Sequence, residues 1–521
     1  METFEWIIGL MFGAAVLSTI ARRLALPYPS LLAVGGAATA LLPSSPDWTL
    51  DPQLALVLFV APVLLDAAFD FSLRDLKRTW VSVAGLAIVA VILTTASVAL
   101  VAHWLVPDMP WPVAIALGAI VAPPDAAAAT AVMQRIRLPR LIRTVLEGES
   151  LINDASALLI YRLAVGAALT RSFSPAAVAP MALFVIIGSV GLGFVVALIL
   201  RSIVSLLDDV PTSIVLQFIS TFGIWMLADR LGLSPVLTIV VSAIIVARSP
   251  GRLRVSPHLR IPTNAVWAVV VFMLNAFAFV LIGMQLRPLL THLGPSGLSS
   301  SLLVAVAVLL TAVVARFAWV LAYSLALRLR ASKLRRHGEA PAARPPFFSV
   351  GLIMSWAGMR GIVTLATALA LPTTLADGSP FPYRDLVLLC AFIVVLGTLV
   401  VQGLTLGPLI ALFRLEAPDP AIAEVRSARA EALRAGLLAI DGNQSHEAML
   451  LRKEFGAIIE TSADEAKNSD LEALPGNDIR RTALAAARKR SNELWLEGTI
   501  GDEAYRTLES EFDWGELGAG V

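Results

Sequence analysis

The chain has 521 residues, of which 57% are hydrophobic and 15% charged, and its formal net charge is +1. Its mean hydropathy of +0.78 reflects more apolar surface than a soluble protein of this size can bury, so we predict that it lies in a lipid bilayer. The nearly balanced charge gives no sign of a nucleic-acid partner, and the single cysteine, Cys390, excludes an intrachain disulfide.

Apolar stretches long enough to cross a membrane recur from the N-terminus to about residue 413. A hydrocarbon core of about 30 Å needs roughly 20 helical residues at about 1.5 Å per residue. The first stretch follows the acidic residues Glu2 and Glu5 and has no cleavage site of small residues, so we predict a membrane helix and not a signal peptide. We predict about thirteen spans, at residues 4–21, 29–43, 53–70, 80–104, 111–133, 143–169, 176–200, 211–228, 232–247, 264–286, 300–327, 348–372 and 384–412.

Basic residues between these spans fall mainly on alternate connections, as the positive-inside rule requires. One side has the Arg and Lys residues of 22–23, 74–78, 135–143, 201, 248–260 and 328–344, together with Arg414. The other side has only Arg171, Arg230, Arg287 and Arg384. This distribution predicts a multi-pass protein with its N-terminus outside and its C-terminus in the cytoplasm.

The composition changes after Arg414 to a charged, Ala- and Glu-rich tail. We therefore predict a transmembrane domain over 1–414 and a helical cytoplasmic tail over 415–521, with surface helices at 422–440 and 478–511. No ligand motif is visible in the tail, so a solvated helical appendage is favoured over a regulatory sensor.

Ionisable side chains inside the predicted spans cost about 3 kcal/mol each at a helix centre, so each needs a partner or a function. The acids are Asp66, Asp70, Asp125, Glu149 and Asp154, and the bases are Arg162, Arg316 and Arg360. A structural ion pair is the alternative for any one of them. Several acids near the membrane midplane with fewer bases nearby indicate a site that holds cations.

The sixth span contains the sequence Glu-Ser-Leu-Ile-Asn-Asp at 149–154. Residues four apart share one face of a helix, so Ser150 and Asp154 can offer hard oxygen ligands to one small cation. Glu149 points to another side of the helix, where a basic residue of another span is its expected partner. Arg316 and Arg360 are the candidates for that partner.

Two spans are predicted to be interrupted in mid-membrane. Pro123 and Pro124 break the fifth span directly before Asp125, and such breaks are tolerated where they line a protein cavity. The twelfth span is interrupted at 358–361, which reads Gly-Met-Arg-Gly. Two broken helices seven spans apart are typical of the inverted repeats of transporters, although a proline kink and a glycine packing surface are the simpler alternatives.

These residues together resemble the cation/proton antiporters of the first class, the sodium/proton exchangers, in their bacterial form. The most specific match is 149–154 with its Asn-Asp pair, and other matches are Asp66, Asp125, Asn275 with Gly283, Arg316 and 356–361. The resemblance implies an NhaA-like antiporter fold, an all-α polytopic architecture with inverted repeats and two interrupted helices. It also implies a homodimer in the plasma membrane that serves sodium transport and pH homeostasis.

The resemblance assigns roles to particular residues. Asp154 is expected to bind the cation and the proton, with Asp125 and Ser150 as further Na⁺ ligands. Asn153 is expected to stabilise the site, and Asp66 to lie on the approach. The other charged residues have a structural role in the core of the protein. Glu149 is expected to form an ion pair with Arg316, and Arg360 to lie near the second break.

The expected activity is an alternating-access exchange of Na⁺, Li⁺ or K⁺ for H⁺, in which ion and proton compete for Asp154 and Asp125. The Asn153–Asp154 pair implies electroneutral exchange, and no cofactor is expected. Many relatives have Thr-Asp-Pro at the fifth-span break, whereas this chain has Pro124-Asp125-Ala126, which leaves the cation preference open. A K⁺/H⁺ antiporter and an uncoupled cation channel are the alternatives; an enzyme is disfavoured because the five histidines form no metal-binding pair.

Overall fold

A computed structural model describes most of the chain, and nearly all of the described part is helical. The described residues are 2–24, 26–43, 52–71, 73–125, 140–170, 175–204, 209–247, 257–336, 347–375, 377–413, 420–463, 477–497, 508 and 511–515. Within these ranges the extended backbone pairs only at one isolated bridge, between Thr374 and Pro380. Two compact units are distinguished, Met1–Glu416 and Ala417–Val521.

In its described part, the first unit consists of fourteen helices, three of which contain a π-helical turn. They are α1 (Glu2–Arg23), α2 (Tyr28–Ala40), α3 (Pro52–Ala55, continued by the π-helical Leu56–Val60 and by Ala61–Asp70), α4 (Leu73–Ala84, continued by the π-helical Gly85–Ala90 and by Val91–Leu105), α5 (Trp111–Val121), α6 (Arg140–Thr170), α7 (Pro175–Val204), α8 (Val210–Arg230), α9 (Pro235–Ala247), α10 (Pro257–Met284), α11 (Leu286–Arg336), α12 (Phe347–Trp356), α13 (Ile362–Leu369) and α14 (Arg384–Gly397, continued by the π-helical Thr398–Gln402 and by Gly403–Phe413). π-Turns of this kind often occur at functional sites.

The predicted all-α polytopic membrane fold is confirmed. In the described part, eight helices contain a segment long and apolar enough to span a membrane, namely α1, α4, α6, α7, α8, α10, α11 and α14, and α3, α5 and α9 are shorter apolar helices. Each predicted span coincides with one helix except the twelfth, which is divided into α12 and α13. The fifth span begins with α5, and its predicted continuation beyond residue 125 lies outside the described residues.

Helices α2 and α10 cross at very close range because both have glycine at the crossing. A Cβ atom on Gly36 would overlap the backbone of Val280, and one on Gly283 would overlap the backbone of Ala33 and Ala37. Small residues allow membrane helices to approach in this way where there is no hydrophobic force between helices in lipid. The contact fixes the rotation of α10, and with it the face that this helix turns to the interior.

The second unit contains three helices in its described part, α15 (Pro420–Ala439), α16 (His446–Ala463) and α17 (Asn477–Leu496). The Arg452 guanidinium of α16 donates to the carbonyls of Ile440, Asp441 and Asn443 at 2.7, 2.8 and 2.9 Å, which ties α16 to the turn after α15. The helix predicted over 422–440 corresponds to α15. Of the helix predicted over 478–511, α17 covers the part up to Leu496, and residues 498–507 lie outside the described part; α16 is not predicted. Ser445 offered a start signal, since its hydroxyl accepts from the backbone N–H of Ala448.

Candidate cation site

A cavity of about 470 Å³ lies in the interior of the membrane unit, between α2, α3, α6, α10 and α13. Four carboxylates line it, those of Asp66, Asp125, Glu147 and Asp154. No Lys, Arg or His side chain is among the described residues on its wall. The cavity therefore has a strongly negative electrostatic character, which attracts small cations and repels anions.

Helix α6 supplies the deepest of these carboxylates. Asp154 is 6% exposed and Ser150, one turn earlier, is 8% exposed, and both line the cavity. The carboxylate of Asp125 is near enough for its charge to act on Asp154. Two carboxylates and one hydroxyl thus line one cavity, and they are the hard oxygen ligands that a small monovalent cation accepts.

Asn153 is fully buried beside the cavity but is not part of its wall. Its side-chain amide nitrogen donates to the carbonyl of Pro124 at 3.0 Å. Pro124 lies beyond the end of α5 at Val121, so its carbonyl is outside the hydrogen-bond ladder of that helix, and Asn153 satisfies it. This residue therefore holds α6 against the broken segment that follows α5.

The two interrupted segments meet at Asp125. Its backbone N–H donates to the carbonyl of Met359 at 2.6 Å, so the segment after α5 pairs with the segment between α12 and α13. The carboxylate lies against Gly361, directly before α13 begins, and a Cβ atom at that glycine would overlap it. The positive end of the α13 dipole faces this carboxylate, and the favourable interaction offsets part of the cost of burying its charge.

Arg360 is fully buried at the same crossing. Its guanidinium donates to the carbonyls of Val121, Gly358 and Ala312 at 3.1, 2.5 and 3.3 Å. Val121 is the last residue of α5, so Arg360 satisfies a carbonyl at the end of that helix. The hydrogen bonds recorded for this guanidinium thus go to backbone carbonyls, and it serves the crossing rather than the ion pair with which the sequence had grouped it.

Glu149 and Arg316 form a buried ion pair between α6 and α11. The side chains are 1% and 3% exposed, and the two N–O distances are 2.5 and 2.9 Å. Arg316 also donates to the carbonyl of Met354 on α12 at 3.1 Å, and Gly358 packs directly against its side chain. Removing one member of such a pair strands a buried charge and costs about 3–5 kcal/mol, so the pair holds three helices in fixed relation.

Comparison with known proteins identifies the family. The sequence model described as "Sodium/hydrogen exchanger, transmembrane" matches residues 10–412. The chain belongs to the sodium/hydrogen exchanger family. The chain is 32% identical over 417 residues to the sodium, potassium, lithium and rubidium/H⁺ antiporter of Bacillus pumilus, a match that covers 78% of this chain and 61% of that relative. The chain thus spans less than two thirds of the length of that antiporter.

Two further relatives extend this comparison. An uncharacterized Na⁺/H⁺ exchanger of Escherichia coli is 28% identical over 551 residues, which cover 98% of each chain. The solved structure of the sodium proton antiporter of Methanocaldococcus jannaschii at pH 8 aligns with a TM-score of 0.59 and 19% identity. This alignment covers 80% of the present chain and all of the solved one, so the two share a fold.

The cavity also contains residues that sequence reasoning did not place there. Glu147 precedes Asp154 by seven residues, two helical turns, and this periodicity could have revealed it. Thr364 and Asn275 line the wall from α13 and α10, and no motif marks Thr364. Asp66 lines the cavity from α3 and is half-buried, whereas the side chain of Asp70, four residues later, lies outside the described part.

Proposed function

We propose that this exchanger moves a monovalent cation across the membrane against a proton. The observation that carries the proposal is the cavity with four carboxylates and without a basic side chain among the described residues of its wall. The family supports it, since the Bacillus pumilus relative is named as an antiporter of sodium, potassium, lithium and rubidium against H⁺. Na⁺, Li⁺ and K⁺ are accordingly the cations we assign to the site.

Competition for one carboxylate is the core of the proposed mechanism. Asp154 is buried, and burial penalises the bare negative charge, so the site favours an occupant of positive charge. A proton or a cation can fill this role, but not both together. Ser150 and Asp125 complete the cation's ligands, Asn153 keeps the break beside them in place, and Asp66 receives the cation on its approach.

Exchange follows if the loaded site crosses the membrane and the empty anionic site does not. Alternating access then arises from movement of a helix bundle that includes α6 against the remaining helices. The Glu149–Arg316 pair keeps the parts of that bundle together during the movement. One Na⁺ replaces one H⁺ at the site, so the exchange is electroneutral.

The arrangement in the cell follows the same proposal. The transmembrane domain, residues 1–414, lies in the plasma membrane with its N-terminus outside, and the tail, residues 415–521, lies in the cytoplasm. Two copies form a homodimer, no cofactor takes part, and the activity serves pH homeostasis. A K⁺/H⁺ antiporter is the alternative form of this function, and the name of the Bacillus pumilus relative includes potassium beside sodium, lithium and rubidium.

Proteoliposomes that contain a pH-sensitive dye test the function directly. A gradient of Na⁺, Li⁺ or K⁺ is expected to move protons in the opposite direction, and a membrane potential imposed with a lipophilic anion is expected to leave the initial rate unchanged. Protein-free liposomes are the control. Cation flux without proton movement would indicate a channel, and a strong effect of the potential would contradict electroneutral exchange.

A further inference from the structure

Thr364 is a buried hydroxyl-bearing residue on the cavity wall to which the proposed mechanism gives no role. It lies in the first turn of α13 and is 1% exposed. Its Oγ1 is buried and has no hydrogen-bond partner among the described residues. A buried hydroxyl without a partner costs about 1–3 kcal/mol, so its presence calls for an explanation.

The start of α13 explains why the usual partner is missing. Threonine in a helix commonly donates to the carbonyl four residues earlier, but that carbonyl here belongs to Arg360, before the helix begins at Ile362. Gly361, three residues before Thr364, also lines the cavity. Gly361 touches the carboxylate of Asp125, so Thr364 borders the same part of the cavity.

The residues at the neighbouring break, directly before Asp125, indicate a role for the Thr364 hydroxyl. Pro124, directly before Asp125 in the fifth-span break, has no side-chain oxygen to offer a cation. We propose that the Thr364 hydroxyl is a further ligand of the transported cation and supplies, from the other broken segment, the hydroxyl oxygen that Pro124 lacks. This inference rests on the proposed cation exchange and names a residue that sets its cation preference.

The test compares three variants with the wild-type protein in proteoliposomes. Thr364→Val removes the hydroxyl at nearly constant shape, and Thr364→Ser keeps it. Thr367→Val is the matched control, because Thr367 lies on the same helix, is 3% exposed and has an equally unpartnered Oγ1, but does not line the cavity. The concentration of Na⁺, Li⁺ or K⁺ that gives half-maximal exchange is measured for each protein.

Thr364→Val is expected to raise the half-maximal concentration of Na⁺ by about tenfold, because the cation loses one ligand. The ratio of the half-maximal concentrations of Na⁺ and K⁺ is also expected to change. Thr364→Ser and Thr367→Val are expected to keep the wild-type values. The inference is overturned if the values of Thr364→Val match the wild type, or if Thr367→Val shifts all cations equally. If the Thr364→Val protein does not insert into the membrane, Thr364→Ala is measured in its place. A wild-type protein that shows no exchange would refute the proposed function itself.

Discussion

The Asp154→Asn variant is expected to lose cation-dependent proton exchange and to remain a folded membrane protein. The amide has nearly the shape of the carboxylic acid, so the packing around this buried side chain of α6 is preserved. An amide has no negative charge to bind a cation and takes up no proton in the relevant pH range. Fluorescence assays of exchange in proteoliposomes, with size-exclusion chromatography of the purified protein, measure both properties.

Asp385→Asn is the matched control, since it makes the same chemical change at an exposed position in the first turn of α14. This control is expected to exchange at the wild-type rate. Exchange that survives in Asp154→Asn would remove the central residue from the mechanism. Loss of exchange in both variants would show that the assay reports a general effect of the substitution.

The Gly361→Ala variant is expected to show the second large loss of exchange. Its added methyl group would overlap the carboxylate of Asp125, which the mechanism uses as a cation ligand. Asp125 must move away from its place before α13, so the cation loses a ligand and the carboxylate loses the favourable end of the helix dipole. The initial rate of Na⁺/H⁺ exchange in proteoliposomes measures this effect.

Gly407→Ala in α14 provides the control for the glycine change. A methyl group there meets no atom within 4 Å, so this variant is expected to retain wild-type exchange. A wild-type rate in Gly361→Ala would mean that the carboxylate of Asp125 does not have to occupy the position that we describe. Because both variants add the same methyl group to a membrane segment, their difference reports the Asp125 contact.

The sequence was sufficient to predict the membrane helices and the acidic residues that lie within them. Lipid imposes long apolar segments and makes each buried charge costly, so hydropathy and the positions of Asp125, Glu149 and Asp154 are informative without a structure. The spacing of Ser150 and Asp154 also predicts a shared face, because helical periodicity is fixed. The inverted repeats and the domain boundary near residue 414 stay predictions.

Contacts between the two broken segments could not be predicted, because they join residues more than 200 positions apart. Arg360 donates to backbone carbonyls, and Gly361 contacts Asp125, only because of the way in which the two segments cross. Thr364 is an ordinary helical threonine in sequence, and only the position of α13 brings it to the cavity. Pairing across such distances is a property of the tertiary structure.

The measurement that tests the account most directly is the binding of Na⁺ to the purified protein at a series of pH values, by calorimetry in two buffers of different ionisation enthalpy. If ion and proton compete for Asp154, Na⁺ binding releases a proton at acidic pH, and the dissociation constant rises by about tenfold for each unit of falling pH. A dissociation constant that is independent of pH, with no proton released, would contradict the account.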